Sequence, residues 1–142
     1  MNTPLRNPLD PRQNQLLASL PDTEWNRWRP YLESVDLPLG KVLSESGKVP
    51  EYVYFPTTAI VSLLYMTQDG ESVEIAVVGN DGVVGISLFM GGNATPSQAV
   101  VQSAGRGYRL RAEAVKSEIN LAGPILKMLL RYTQAMIAQV AQ

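Results

Sequence analysis

The sequence predicts a mainly β domain with flanking helices: a double-stranded β-helix, or jelly roll, followed by one long C-terminal helix. Between residues 34 and 111, short runs of alternating apolar and polar residues are separated by glycine turns, which is typical of a jelly roll or small barrel. The pair Asp69-Gly70 predicts a hairpin, because this dipeptide fits a turn that requires positive φ. Residues 125–142 contain neither glycine nor proline, which favours one uninterrupted helix.

Two short helices are predicted ahead of the roll. Residues 1–13 are polar and contain three prolines, so we expect a flexible arm there. A first helix of one or two turns is expected over residues 14–20. Asp22 is the predicted N-cap of a second helix, in which apolar residues recur at spacings of three and four. We expect its two tryptophans, Trp25 and Trp28, to pack in the core.

The composition excludes several kinds of site. The 142 residues include no cysteine and no histidine, so disulfides, thiolate or imidazole metal ligands and histidine bases are excluded, and we expect no metal. The carboxylates form no catalytic constellation, so we expect no enzyme. A formal net charge of −1 is not the footprint of a chain that binds nucleic acid by itself. Without a signal peptide or a long apolar run, we expect a cytoplasmic protein that does not enter a membrane.

The predicted terminal helix carries a narrow apolar stripe. Its members fall at spacings of four, three, four and four, and they are Ile125, Leu129, Tyr132, Met136 and Val140. Two interpretations follow from the residues alone. The stripe packs on its own roll, or it pairs with the same stripe of a second chain.

A second feature is the one dense basic cluster, formed by Arg106, Arg109 and Arg111. Arg109 and Arg111 share one face of a predicted strand, because side chains alternate along a strand. The cluster either binds an acidic ligand or partner, or forms a solvated face with ion pairs to nearby glutamates.

The order of these elements resembles the cyclic-nucleotide-binding-like domain of the Crp/Fnr transcription regulators. The resemblance rests on the glycine-rich run 82–92 after a Gly-Asn-Asp-Gly turn, on the strand that begins near Gln98, and on the terminal helix. It implies a β-roll with N-terminal helices over residues 14–122 and a dimerisation helix over 123–142. It also implies a homodimer through the apolar stripe. We expect the chain to be a piece cut before a helix-turn-helix domain, so that DNA is bound only through that absent domain.

In the family that this sequence resembles, the segment matching Gly85 to Ala99 is the phosphate-binding cassette. A Gly-Glu pair begins the cassette and an Arg-Ser-Ala or Arg-Thr-Ala run ends it, the Glu binding the ribose and the Arg the cyclic phosphate. Gly85 and Ala99 match the pattern, but Ile86 replaces the Glu, Ser97 stands in the place of the Arg and Gln98 replaces Ser or Thr. The remaining candidate ligand-binding positions are Ser87, Gly91, Gly92 and Thr95.

The charge distribution agrees with the absence of the family's Glu and Arg. No lysine or arginine occurs between Val49 and Gly105, whereas a buried phosphate needs a cation or many donors. We therefore expect no cofactor, no cAMP or cGMP response through the usual contacts, and an effector of unknown identity. Two alternatives stay open for the glycine-rich segment. Its backbone N–H groups and hydroxyls bind a phosphate weakly, or its glycines only permit tight turns.

The predicted function is that of a sensory and dimerisation domain of a Crp/Fnr-like transcription regulator. A signal near Gly85 to Ala99 would alter how the roll packs on the terminal helix and so shift a two-state equilibrium. Two alternatives are a cyclic-nucleotide sensor with a divergent cassette and a stand-alone dimeric interaction domain without DNA binding.

Overall fold

A computed structural model describes residues 10–85, 97–121 and 123–140. Its strands form two antiparallel sheets, one ordered β1-β7-β3 and the other β2-β6-β4-β5. The strand bounds are β1 Glu33–Leu37, β2 Val42–Ser44, β3 Tyr52–Pro56, β4 Ile60–Met66, β5 Ser72–Val78, β6 Ser97–Ser103 and β7 Gly105–Arg111. The predicted mainly β jelly roll with flanking helices is confirmed.

The helices flank the sheets at both ends of the chain. Their bounds are α1 Gln15–Ala18, α2 Asp22–Trp28, α3 Ala112–Leu121 and α4 Pro124–Val140, with 3-10 turns at Pro11–Gln13 and Arg29–Tyr31. Proline at the start of α4 suits a first helical turn, because its missing N–H would have no partner there. The long terminal helix predicted from the absence of glycine and proline is therefore present over 124–140.

The hairpin between β4 and β5 turns where the sequence predicts it. Gly70 has a φ of 82°, a conformation that L side chains rarely adopt. The N–H of Thr67 donates to the carbonyl of Glu71 at 2.8 Å and closes the turn. The register then pairs Tyr65 with Val73 and Val61 with Val78 across the two strands.

Two apolar clusters lie on opposite sides of the three-stranded sheet. The helix-side cluster joins the helices to one face of this sheet and includes fully buried Trp28, Phe55, Leu110 and Leu129. The roll-side cluster fills the space between the two sheets with smaller side chains. Its core members are Leu37, Tyr54, Ala59, Val61, Leu63, Ala76, Val78, Val84, Ala99, Val101 and Met136. The expected burial of Trp25 and Trp28 is confirmed.

Three residues of the terminal stripe are buried against their own domain. Ile125 and Leu129 are 0% exposed in the helix-side cluster, and Met136 is 7% exposed in the roll-side cluster. Tyr132 is half-buried against both clusters. The interpretation in which this stripe faces a second chain is therefore wrong for Ile125, Leu129 and Met136, because they retain almost no surface for a partner. The side chain of Val140 lies outside the described residues.

Two smaller expectations at the N-terminal end also need correction. Residues 11–13 belong to the predicted arm but form a 3-10 turn, and the side chain of Asp10 accepts from the N–H of Arg12. Residues 1–9 lie outside the described part of the chain. Asp22 is the first residue of α2 rather than its N-cap, a position that Pro21 occupies without a side-chain hydrogen bond.

Candidate functional site

The predicted cassette begins on the three-stranded sheet. Val84 and Tyr54 exchange two backbone hydrogen bonds of 2.8 and 3.0 Å, so the segment runs beside β3 just before Gly85. Gly85 has a φ of 108°, and a Cβ placed on it would lie 3.0 Å from Cγ1 of Val53 and 3.2 Å from the carbonyl oxygen of Tyr52. Both the backbone conformation and this close approach require glycine here.

The segment ends on the other sheet, at the start of β6. Ser97, Gln98 and Ala99 pair with Tyr65, Leu64 and Leu63 of β4. Ala99 is fully buried between the sheets, and Ser97 and Gln98 are half-buried. The described ends of the segment thus belong to different sheets, and the roll-side cluster lies between them.

Most of the candidate positions between these ends cannot be placed. Ile86, Ser87, Gly91, Gly92 and Thr95 lie outside the described residues. The structure therefore describes only the flanking candidates of the set: Gly85 beside the three-stranded sheet, and Ser97, Gln98 and Ala99 on β6.

The loop that leads into Gly85 is tied to the N-terminal end of the domain. The amide of Asn14 donates to the carbonyls of Pro56 and Gly82 at 2.9 and 2.8 Å, while its oxygen accepts from the N–H groups of Leu16 and Leu17. Asn14 is completely buried, so these contacts satisfy groups that water does not reach. The residue that caps α1 therefore also fixes the approach to the cassette.

The same loop is also tied to the terminal helix through Tyr132. The hydroxyl of Tyr132 hydrogen-bonds to the backbone of Val83, and burial raises the pKa of this tyrosine to about 12. A Cβ placed on Gly82 would collide with that hydroxyl, so glycine is required for the contact. Gly82 and Val83 of this loop therefore contact α4 directly.

A cluster of polar and aromatic side chains lies at one edge of the roll interior. Arg109 shares a face of the three-stranded sheet with Glu33 and Tyr54, and its guanidinium donates to Glu33 at 3.4 Å. The same guanidinium lies 4.1 Å from the centre of the Tyr52 ring, within cation–π range. Burial acts to lower the pKa of Arg109, but hydrogen bonds with Tyr54 and Glu33 leave it above its ordinary value.

The other arginines of the predicted cluster have different surroundings. Arg106 lies on the opposite face of β7, paired with Asp36 and hydrogen-bonded to Ser34 at 2.7 Å. Arg111 is exposed, and its guanidinium is 5.9 Å from the Tyr52 ring. The predicted ion pair with a glutamate is made by Arg109 with Glu33, whereas Arg106 pairs with Asp36. Arg109 also lines a groove between β2 and β3.

Sequence reasoning missed Asn14 and the contact of Tyr132 with the cassette loop. Asn14 carries a local signal, because asparagine before an apolar run is a good helix cap. Its partners are 42 and 68 residues away, and no local pattern indicates them. Within the described residues no cluster of metal-ligating side chains is present, and no helix there is both long and apolar enough to cross a bilayer.

Comparison with known protein families assigns the fold to a known class. The Cyclic nucleotide-binding domain matches residues 34–120, more than half of the chain. The chain belongs to this family. No curated protein is significantly similar to it in sequence.

Solved structures with the same fold include transcription regulators and a kinase subunit. The N-terminal domain of a transcriptional regulator from Streptomyces coelicolor is 21% identical with a TM-score of 0.63, over 96% of this chain and 90% of that one. The Thermus thermophilus Catabolite Activator Protein is 19% identical with a TM-score of 0.68, over 89% and 59%. The regulatory subunit of a cAMP-independent protein kinase A from Trypanosoma brucei is 18% identical with a TM-score of 0.73, over 87% and 43%. The chain thus spans less than half of that kinase subunit.

Proposed function

We propose that the chain is the sensory and dimerisation domain of a Crp/Fnr-like transcription regulator, and that it does not read cAMP through the contacts usual in the family. Membership of the cyclic nucleotide-binding domain family and the likeness to the regulators named above support the first part. The second part is carried by the pair Ile86 and Ser97, which the resemblance to the family's cassette matches to its Glu and Arg.

The loss of both side chains matters because each one pairs with a different part of a cyclic nucleotide. A phosphate held without a cation depends on neutral donors, and charge-assisted hydrogen bonds are roughly twice as strong as neutral ones. The stretch from Val49 to Gly105 contains five acidic residues and no basic one, which further disfavours an anion there.

The proposed signal route follows the contacts of the loop before Gly85. A change at the cassette moves residues 79–85, and these residues touch α4 through Tyr132 and the N-terminal helices through Asn14. A ligand shifts such an equilibrium only as far as it binds one state better than the other. The helix α4 would then transmit the shift to a DNA-binding domain outside this chain.

The proposed dimer uses the face of α4 that is turned away from the roll. Leu130 is 45% exposed and Leu126 is half-buried, and these residues lie one turn apart on that face. Leu130→Asp places a charge on this face and is expected to give a monomer in sedimentation equilibrium, whereas the wild-type chain sediments as a dimer. A wild-type monomer at high protein concentration contradicts the dimerisation proposal.

The nucleotide proposal is tested by calorimetry with cAMP. We expect no saturable binding to the wild-type chain and a clear gain for the double variant Ile86→Glu, Ser97→Arg, which restores both family contacts. Tight cAMP binding by the wild-type chain would support the divergent cyclic-nucleotide sensor instead. Each single variant serves as the matched control, because one contact alone leaves the other part of the nucleotide without a partner.

A further inference from the structure

We propose that the groove around Arg109 binds a small organic monoanion with an apolar or aromatic part. The groove has a volume of about 410 Å³ and lies between β2, the following loop, β3 and β7. None of the described residues that line it belongs to the cassette Gly85 to Ala99. The proposal does not depend on the regulator function, because binding is measured on the chain itself.

The position of Arg109 in the sheet favours a bound anion. It occurs on the face of β7 that is directed at the roll interior, next to Tyr54, which belongs to the roll-side cluster. A guanidinium at an inward-facing register is costly unless it meets partners or a ligand. Its visible anionic partner is Glu33 at 3.4 Å, a long contact for an ion pair, and no described atom accepts from its Nε.

Aromatic surfaces lie beside Arg109 in the groove. The rings of Tyr52 and Tyr54 have centres 6.2 Å apart, and both line the groove with Arg109. Leu43 and Val49 add apolar surface to the same groove. Arginine beside two tyrosines offers one planar charged group and adjacent apolar faces, which suits an anion attached to a ring.

The charge of the groove sets the charge of the ligand. Lys41, Lys48 and Arg109 line it together with Glu45 and Glu51, so the lining carries three positive charges against two negative ones. Lys48 is already held by Glu45 at 2.7 Å, a closer contact than the 3.4 Å between Arg109 and Glu33, so Arg109 has the weaker competing carboxylate of the two. Glu33 contacts Arg109 from outside this lining and offsets the excess, so a ligand carboxylate must compete with Glu33 for the guanidinium, and a dianion would exceed the positive charge that the groove offers.

The test titrates the intact chain with benzoate and monitors the backbone amide chemical shifts by NMR. We expect saturable shifts confined to the groove residues, weaker binding of benzamide because it lacks the charge, and weaker binding of acetate because it lacks the ring. Arg109→Gln is expected to weaken benzoate binding at least about tenfold, the loss expected for one charge-assisted contact. Arg106→Gln, on the opposite face of the same strand, is the matched control and should leave the affinity unchanged.

A second variant keeps the test decisive if Arg109→Gln fails to fold. Glu33→Gln releases Arg109 from its competing carboxylate and should tighten benzoate binding by about threefold. Equal binding of benzoate and benzamide, equal effects of the two arginine variants, or shifts that map outside the groove would each overturn the proposal. Tighter binding of phenyl phosphate than of benzoate would overturn the assignment of a monoanion.

Discussion

The two faces of the three-stranded sheet differ sharply although they are built from the same strands. On the helix side, Val53, Phe55 and Leu110 are completely buried against the helices. On the roll side, the alternate residues include Tyr52 and Arg109, which are partly exposed and polar. Around Arg109, strand alternation therefore gives the sheet a sealed face, packed on the helices, and an open face beside the groove, although Leu37 and Tyr54 on the roll side are themselves buried.

The two ends of α4 also differ in the cluster that they contact. Ile125 and Leu129 pack with the helix-side cluster, whereas Met136 reaches the roll-side cluster. Tyr132 lies between them and contacts both. The helix α4 thus packs on the sealed face and also contacts the part of the roll that leads into the cassette.

The largest expected effect comes from the sealed face. Leu129→Ala should lower the free energy of unfolding by about 3 kcal/mol, because it opens a cavity among fully buried neighbours. Urea unfolding followed by circular dichroism measures the change. Leu39→Ala removes the same atoms from an exposed leucine outside the proposed dimer face and should cost less than about 0.5 kcal/mol. Equal losses for the two variants would mean that α4 does not pack with the orientation described.

An intermediate effect is expected at Tyr132, where α4 contacts both clusters. It appears as a pH dependence of the free energy of unfolding. Burial raises the pKa of Tyr132 to about 12, while a tyrosine in an unfolded chain titrates near 10, so the unfolded chain loses its proton first as the pH rises. The stabilisation is complete below pH 10 and is lost as the pH rises through the folded-state value, to a total of about 3 kcal/mol.

Tyr132→Phe removes this titration but keeps the ring. Between pH 10 and 12, the variant should therefore lose about 2 kcal/mol less stability than the wild-type chain, as measured by urea unfolding at a series of pH values. Burial also raises the pKa of Tyr54 and Tyr108, but these groups titrate in both proteins and cancel in the difference. Parallel pH curves would show that Tyr132 is not buried in the folded state.

The smallest effect is expected on the open face. Glu33→Gln should change the free energy of unfolding by less than about 0.5 kcal/mol, because the ion pair with Arg109 is partly exposed and screened by water. Thermal unfolding at low and high salt measures it. A loss well above 1 kcal/mol would assign a structural role to the roll side and remove the contrast between the two faces.

Local patterns in the sequence are sufficient for much of this architecture. Alternation and turn dipeptides predict the strands and the hairpin at Gly70, because these signals act over a few residues. The family resemblance carries the element order, and the match to the Cyclic nucleotide-binding domain confirms it.

Long-range partners explain what the sequence does not reveal. The periodicity of α4 predicts an apolar stripe, but it does not say whether the stripe is covered by the roll or by a second chain. Ile125 and Leu129 are covered by elements from the other end of the chain, including Leu17 and Trp28. Alternation likewise places Arg109 on a face, but Glu33, its partner 76 residues away, is set by sheet topology.

The buried carboxamide of Asn14 has a consequence for the order in which the domain folds. One side chain joins residue 14 to carbonyls at 56 and 82, so α1 cannot reach its final contacts before β3 and the loop 79–85 are in place. Contacts of such large sequence separation form late, since the intervening chain must first be closed into a loop. During synthesis on the ribosome, this early segment therefore waits for most of the roll to emerge before it can dock.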